Sequence, residues 1–202
     1  TTTRGASQGS GPTTIPSQIR NGAAIDVVIM SKEGLNELVA EGKIVPGSVV
    51  DLAETPLGVG VRAGTTHPDI RTVEAFKQTL LRAKSVELVS TTGVYMTETL
   101  LPKLGIAKEV AAKATPSAIE AVAKGEVELA IRPMSELVNV PGVDYVGPVP
   151  AEIQFVSIFS AAQVATSKQM DAGKRLIAFL SSDSASAAMP KNGMEPAKRA
   201  HH

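Results

Sequence analysis

Two short segments of the chain have the composition of an anion-binding loop. Both combine hydroxyl side chains with glycine close to the start of a predicted helix: SQGSGPT at positions 7–13 and STTGVY at positions 90–95. Helix N-termini present unpaired N–H groups and the positive end of the helix dipole, and glycine lets the backbone approach a ligand closely. Each loop alone is also compatible with an ordinary helix cap and turn. The candidate ligand contacts in these loops are Ser7, Ser10, Gly11, Thr91, Thr92, Gly93 and Tyr95.

A single arginine adds a charged candidate to this set. Arg132 directly follows a predicted buried strand, and Pro133 ends that strand, so the guanidinium is expected near a strand end. A guanidinium that donates two parallel hydrogen bonds suits a planar carboxylate better than a tetrahedral oxyanion. A solvated or salt-bridged surface position is the alternative for this side chain.

The elements that position these residues include one pattern that occurs twice. Residues 12–31 read PTTIPSQIRNGAAIDVVIMS and residues 116–135 read PSAIEAVAKGEVELAIRPMS. Each copy predicts a Pro-started helix, a Gly stop, an acidic residue, a buried strand and a small polar residue. Two equivalent units predict two lobes with a cleft between them. The first copy ends at Ser31, which is predicted to cap the next helix and to contact the ligand. The strand of the second copy ends at Arg132 instead, and the choice of ligand is expected to depend on this difference.

Catalytic and metal-binding signatures are absent from the sequence. The chain has no cysteine, which excludes thiol catalysis, disulfides and Cys-ligated metals. His67 lies in a predicted turn, and His201 with His202 resembles the remnant of a purification tag. No paired-histidine spacing or G-x-S-x-G elbow occurs. Asp26 and Glu128 are expected to begin their strands far from the ligand. We therefore predict no catalytic set, no metal and no cofactor.

The alternation of strands with helices of about ten residues predicts α/β layers with mainly parallel sheets. Lobe 1 is expected to comprise 1–58 plus 158–202 and lobe 2 to comprise 62–153, with two crossings that form a hinge. The predicted strands are 25–30, 49–52, 57–61, 86–89, 145–149 and 153–161, and the clearest helices are 72–83, 94–104 and 170–180. Strand 25–30 is a continuous apolar run and is predicted to be buried on both faces.

Composition gives no indication of a nucleic-acid or membrane partner. The 202 residues carry 20 basic and 20 acidic side chains, so the formal net charge is zero and no footprint for nucleic acid or an anionic membrane appears. The apolar run at 23–30 is interrupted by Asp26 and is far shorter than the roughly 20 residues of a membrane helix. No secretory signal is visible at Thr1.

Five stretches together resemble the molybdate-binding-like branch of the type II periplasmic substrate-binding proteins. They read DVVIMSKEGLNELVAEGKIVPGS, LGVGVRAGTTHPDIRTVEAFKQTLL, TTGVYMTETLLPKLGI, PGVDYVGPVPAEIQ and NGMEPA. The resemblance implies two α/β lobes and an oxyanion or small carboxylate held in the cleft by hydroxyls and N–H groups. It also implies delivery to an ABC transporter permease in the periplasm, without chemistry. The family's first-lobe serine loop falls on Ser7, Ser10 and Gly11, and its second-lobe loop on 91–95.

Two departures from the family pattern keep alternatives open. Relatives tend to carry an uncharged polar residue at the position of Arg132, which favours a carboxylate over molybdate. They also open with a strand, a helix and a second strand before the serine loop, whereas this sequence begins at about that loop. Either that segment is lacking from the sequence or lobe 1 is completed differently, and a missing central strand would expose a sheet edge that could pair with another copy. An isomerase or tautomerase of a small carboxylic acid, using Tyr95 or a cleft carboxylate as its acid or base, is the alternative. A ligand sensor is another, and a cytoplasmic location would favour either.

Overall fold

The computed structural model describes residues 1–198. His201 and His202, interpreted above as a tag remnant, lie outside the described residues. The first part of the chain forms α1 (Ile15–Arg20), β1 (Val27–Ser31), α2 (Lys32–Ala40) and the long strand β2 (Val50–Arg62). The predicted cap is confirmed, because the Ser31 hydroxyl accepts a hydrogen bond from the Gly34 N–H at 3.3 Å.

The middle of the chain contains most of the remaining elements. They are α3 (Val73–Arg82), β3 (Val86–Glu87), α4 (Ser90–Tyr95), a π-helical turn (Met96–Leu100), α5 (Leu101–Leu104), α6 (Ala107–Ala111), β4 (Ala114–Thr115), α7 (Ile119–Lys124), β5 (Leu129–Pro133), a 3₁₀ turn (Met134–Glu136), β6 (Val143–Pro148) and a 3₁₀ turn (Ala151–Ile153). The final elements are β7 (Val156–Gln163), α8 (Met170–Leu180), α9 (Asp183–Ser186), a 3₁₀ turn (Pro190–Asn192) and β8 (Glu195–Pro196).

The chain divides into two compact units. Unit 1 consists of Thr1–Glu54 and the chain from Ser157 onward, and unit 2 consists of Thr55–Val156. The chain passes from one unit to the other within β2 and again at the start of β7. Among residues 1–198, none of the helices combines the length and apolarity required to cross a bilayer.

Each unit has its own hydrophobic core. In unit 2, Phe76 and Leu80 of α3 pack with Val59 and Ile131 of the central strands, and all four are fully buried. In unit 1, Leu35 and Leu38 of α2 pack on β1. Burying each of these side chains is worth roughly 1.5–3 kcal/mol, so each core stabilises the strands that it covers.

Strand pairing corrects two expectations. β2 pairs antiparallel with β5, β6 and β8, and β1 pairs antiparallel with β7, whereas β3 pairs parallel with β4 and β5. The prediction of mainly parallel sheets is therefore wrong. The strands predicted at 49–52 and 57–61 are one strand, in which Pro56 lies between the residues paired with β8 and those paired with β5.

The prediction that the first buried strand has two buried faces is also wrong. Val28 and Met30 on one face of β1 are buried, but Ile29 on the other face is 48% exposed. β1 also lies at the end of the strand order, with β7 as its described neighbour. A continuous apolar run does not by itself tell one buried face from two.

The second candidate loop is not a loop. β3 ends at Glu87 and α4 begins at Ser90, so STTG forms the first turn of a helix that continues through the π-helical turn to Leu104. Ser90 allows the abrupt change from β3 to α4 by adopting φ of 54°, a left-handed conformation that is unusual for a residue with a side chain. Pro102 is the second residue of α5, which follows the π-helical turn.

Candidate functional site

In unit 1 the structure brings two of the predicted contacts together. The Ser7 hydroxyl accepts a hydrogen bond from the Ser31 N–H at 3.0 Å, so the N-terminal segment lies against the start of α2. The approach is close, because a Cβ on Gly34 would lie 2.1 Å from the Ser7 carbonyl oxygen. Glycine at position 34 is therefore a requirement of this contact.

Ser10 and Gly11 lie in the turn that leads into α1. Ser10 is exposed, and the Gly11 carbonyl accepts a hydrogen bond from the Thr14 N–H at 3.2 Å. Thr14 caps α1, since its hydroxyl accepts a bond from the Ser17 N–H at 3.3 Å. The ordinary cap-and-turn role considered for this loop is therefore present in the structure, and ligand contact by Ser10 stays a prediction.

A charged group beside Ser31 was missed from the sequence. The Lys32 ammonium donates to the Asp51 carboxylate at 2.6 Å, and the Ser160 hydroxyl donates to the other oxygen of Asp51 at 2.6 Å. Burial alone would raise the pKa of Asp51, but these two hydrogen bonds outweigh it and hold the pKa below the ordinary value. Nothing in the spacing of Asp51 and Ser160, which are 109 positions apart, indicates this contact.

In unit 2 the predicted hydroxyls are mostly enclosed. Thr91 and Thr92 are buried in the first turn of α4, with 7% and 3% of their surface exposed. The Gly93 N–H donates to the Val89 carbonyl at 2.9 Å, so it belongs to the helix, and a Cβ on Gly93 would lie 3.2 Å from the Leu88 backbone.

Tyr95 has a structural role. Its hydroxyl donates to the Ile153 carbonyl at 3.0 Å, and its ring stacks on Phe155 with 4.8 Å between centroids. Burial raises the pKa of Tyr95, which disfavours its ionised form. A role as ligand contact or proton donor would require this hydroxyl to give up its bond to Ile153, and it stays a prediction.

Arg132 lies beside the start of α4. In the parallel pair of β3 and β5, Glu87 is opposite Ala130, so Arg132, two residues further on, is at the level of Val89. Its side chain is only 14% exposed. The strand end predicted for Arg132 is therefore also the end at which the Ser90–Tyr95 helix begins.

Two carboxylates, both missed from the sequence, bind this guanidinium. Glu87, whose side chain is 0% exposed, accepts from Arg132 Nε at 2.9 Å and also from Nη2. Glu136, 40% exposed, accepts from Nη1 at 2.8 Å. The signals that could have found them are a carboxylate within the buried strand VELV, and a glutamate four residues after an arginine.

The electrostatics of this group follow from its burial. Burial raises the pKa of Glu87, and the bonds from Arg132 only partly oppose that rise, so the pKa stays above the ordinary carboxyl value. Burial lowers the pKa of Arg132, but the two carboxylates more than compensate and raise it, so the guanidinium stays charged. The guanidinium has five N–H groups, and its three contacts with the carboxylates use three of them.

The other titratable residues discussed above lie elsewhere. His67 Nε2 is 3.2 Å from Asp144 Oδ2, with both side chains substantially exposed. Asp26 accepts from the Ser167 hydroxyl at 2.6 Å, and Glu128 accepts from the Lys84 N–H at 2.7 Å. Within residues 1–198, no three carboxylate or imidazole groups come together as a metal ion requires.

One groove of unit 2 lies away from the Arg132 end. It has a volume of about 920 Å³ and lies at the amino ends of β3 and β5, where Ser85 and Glu128 line it together with Arg62 and Arg82. None of the predicted ligand contacts lines this groove. The predicted contacts of unit 2 lie instead at the carboxyl ends of β3 and β5, the edge at which open α/β sheets bind ligands.

Comparison with known proteins gives consistent matches over nearly the whole chain. A family model described as bacterial extracellular solute-binding protein matches residues 3–195. An aconitate isomerase from Pseudomonas sp is 37% identical over 195 residues, which are 94% of this chain and 74% of that protein.

Two solved structures are similar in fold. The periplasmic molybdate-binding protein of Azotobacter vinelandii gives a TM-score of 0.73 at 19% identity, over 94% of this chain and 84% of that one. The sulfate-binding protein of Mycobacterium tuberculosis gives 0.66 at 19% identity, over 91% and 72% of the two chains. At this identity the likeness concerns the fold, and it confirms the predicted two-lobed α/β class.

Proposed function

The chain belongs to the bacterial extracellular solute-binding protein family, and from that premise we propose that it binds a small anion, preferring carboxylates to tetrahedral oxyanions. The observation that carries the preference is the Arg132 guanidinium, held at the carboxyl end of β5 beside the start of α4. A planar guanidinium is matched by a planar carboxylate through parallel hydrogen bonds. The 37% identity to an aconitate isomerase supports a substrate rich in carboxylates.

The proposed contacts form one set in each unit. In unit 2 they are the hydroxyls of Thr91 and Thr92 together with Gly93, Tyr95 and Arg132; in unit 1 they are Ser7, Ser10, Gly11 and Ser31. We propose a periplasmic location and delivery of the solute to an ABC-type transporter, as the family membership favours.

A panel of anions tests this proposal. The shift in melting temperature is measured with cis- and trans-aconitate, citrate, succinate, molybdate and sulfate, because a ligand that binds the folded state alone raises stability by mass action. A rise with the carboxylates and none with molybdate or sulfate is the expected result. A rise with molybdate alone would overturn the carboxylate preference.

A second function, isomerisation of a small unsaturated carboxylic acid, is favoured by a specific pair of observations. One is the aconitate isomerase relative. The other is Glu136, a carboxylate 40% exposed and bonded to Arg132 at 2.8 Å, which could accept a proton once a bound carboxylate has replaced it on Arg132. In such a reaction the base removes a proton from the methylene carbon of aconitate and returns one to the former vinyl carbon, so the double bond moves without a redox change.

This second function separates cleanly from binding. When trans-aconitate is incubated with the protein in D₂O, an isomerase yields cis-aconitate and incorporates deuterium at carbon, both visible by proton NMR. A protein that only binds the acid gives neither signal, however tightly it binds. Glu136→Gln is the matched variant, since an isomerase that uses this base would lose deuterium incorporation.

A further inference from the structure

We propose that Glu136 is an internal competitor for the ligand: it takes a position on the Arg132 guanidinium that a bound carboxylate would use, and so lowers the affinity for every carboxylate. This inference rests on the proposed function. It makes Glu136 a residue that sets affinity, whereas Glu87 is a positioning residue that fixes the orientation of Arg132.

The argument begins with the two edges of the guanidinium. Glu87 accepts from Nε and Nη2, which together form one edge. The remaining edge is formed by Nη1 and Nη2, and Glu136 Oε2 is bonded to Nη1 at 2.8 Å. A carboxylate that made two parallel bonds to Arg132 would need this second edge. Glu136 therefore stands at the position that such a ligand requires.

The two glutamates differ in how easily they can leave. The Glu87 side chain is fully buried at the end of β3, so its departure would leave a buried guanidinium poorly compensated. Glu136 ends a three-residue 3₁₀ turn, and 40% of its side chain is exposed. A carboxylate with this much exposed surface is solvated by water when it leaves, so it is held less firmly than a fully buried one. A ligand would therefore displace Glu136 and leave Glu87 in place.

The charge of the group points in the same direction. Two carboxylates already surround the one guanidinium, so an incoming anion meets repulsion unless one of them withdraws. When Glu136 moves into water, one carboxylate group of the ligand replaces it, so the number of carboxylates bonded to Arg132 is unchanged. Displacement is thus the route by which an anion can bind here without accumulating a third negative group.

The test compares affinities measured by titration calorimetry with trans-aconitate and citrate. Glu136→Gln keeps the shape of the side chain but removes its charge, and we expect both acids to bind about 3- to 10-fold more tightly than to the wild type. Glu136→Ala should change affinity in the same direction. The control is Glu41→Gln, which removes an exposed carboxylate bonded to Arg20 in unit 1 and should leave both affinities within about 2-fold.

A gain of affinity is a result that damage to the fold does not produce. An affinity of Glu136→Gln that equals or falls below that of a wild type that binds would overturn the competitor role and leave the proposed function standing. Binding that appears in Glu136→Gln but is undetectable in the wild type supports the competitor role. Absence of binding in both proteins would overturn the proposed function together with the inference.

Discussion

Arg132 and Glu87 form an ion pair in which the carboxylate has no exposed surface, with Nε of the arginine 2.9 Å from Oε2 of the glutamate. The pair joins the ends of two neighbouring parallel strands, β5 and β3. Because desolvating both charges is costly, the pair contributes less to net stability than its geometry suggests. Removing only one of the two partners is strongly destabilising, since it leaves the other charge buried without its partner.

Removing one partner of this pair should therefore lower the free energy of unfolding more than replacing both partners by apolar residues. We expect Glu87→Ala to lower the free energy of unfolding by about 3–5 kcal/mol, because it leaves the Arg132 charge enclosed with only Glu136 as partner. The double variant Glu87→Leu with Arg132→Met should be more stable than Glu87→Leu alone or Arg132→Met alone. Urea unfolding followed by circular dichroism measures all of these. A double variant less stable than both singles would contradict the account.

Gly34→Ala should disturb the N-terminal segment. A methyl group at this position would lie 2.1 Å from the Ser7 carbonyl oxygen, so the backbone of one segment must move. The expected cost is about 1–3 kcal/mol of unfolding free energy, measured by thermal or urea unfolding. Asn36→Ala, at an exposed position of α2, is the control and should have little effect. Equal stability of the two variants would show that the close contact is not required.

Asp51 should make stability depend on pH in a defined direction. Its folded pKa lies below the ordinary value, so its contribution is present above about pH 4 and is lost as the pH falls through the folded pKa. Asp51→Asn should therefore lower the melting temperature at neutral pH and differ less from the wild type in acid. Asp171→Asn, at an exposed position of α8, controls for the loss of a carboxylate. A gap that widens in acid would contradict this sign.

Ser90 tests whether the start of α4 is strained. Its φ of 54° costs a residue with a side chain about 1–2 kcal/mol that glycine does not pay. Ser90→Gly should accordingly be more stable than Ser90→Val in urea unfolding. The same two substitutions at Ser181, where φ is −88°, should not favour glycine. A valine variant at position 90 as stable as the glycine variant would rule out the strain.

The repeated unit was predictable because its signals are local. Thr14 and Ser31 cap helices through their own hydroxyls, and Gly22 and Gly125 adopt φ of 79° and 78° at the ends of the two repeat helices. Short-range hydrogen bonds and backbone conformations of this kind depend on neighbours in the sequence. The α/β class followed from the same signals.

What the sequence did not reveal depends on distant residues. Strand direction is decided by which strands meet, so β2 could not be seen to pair antiparallel with β5, β6 and β8. Glu87 reads as one residue of a buried strand until Arg132, 45 positions away, is placed beside it. The exposed face of Ile29 is likewise decided by what packs against β1, which the apolar run does not encode.

Hydroxyl contacts to the ligand can be tested apart from Arg132. Ser10→Ala together with Thr92→Ala should abolish the rise in melting temperature that aconitate produces, because both proposed donors are lost. Ser182→Ala, which removes a hydroxyl that caps α9, is the control and should preserve the rise. An unchanged rise in the double variant would exclude these two hydroxyls as ligand contacts.

The central claim is that Arg132 binds a carboxylate ligand, and titration calorimetry of trans-aconitate against wild type and Arg132→Gln tests it most directly. The account predicts saturable one-site binding to the wild type and a loss of at least about tenfold in affinity in the variant, since a charge-assisted bidentate contact is removed. Arg20→Gln, which disrupts an exposed pair in unit 1, should bind as the wild type does. Equal affinity of wild type and Arg132→Gln for trans-aconitate would contradict the claim.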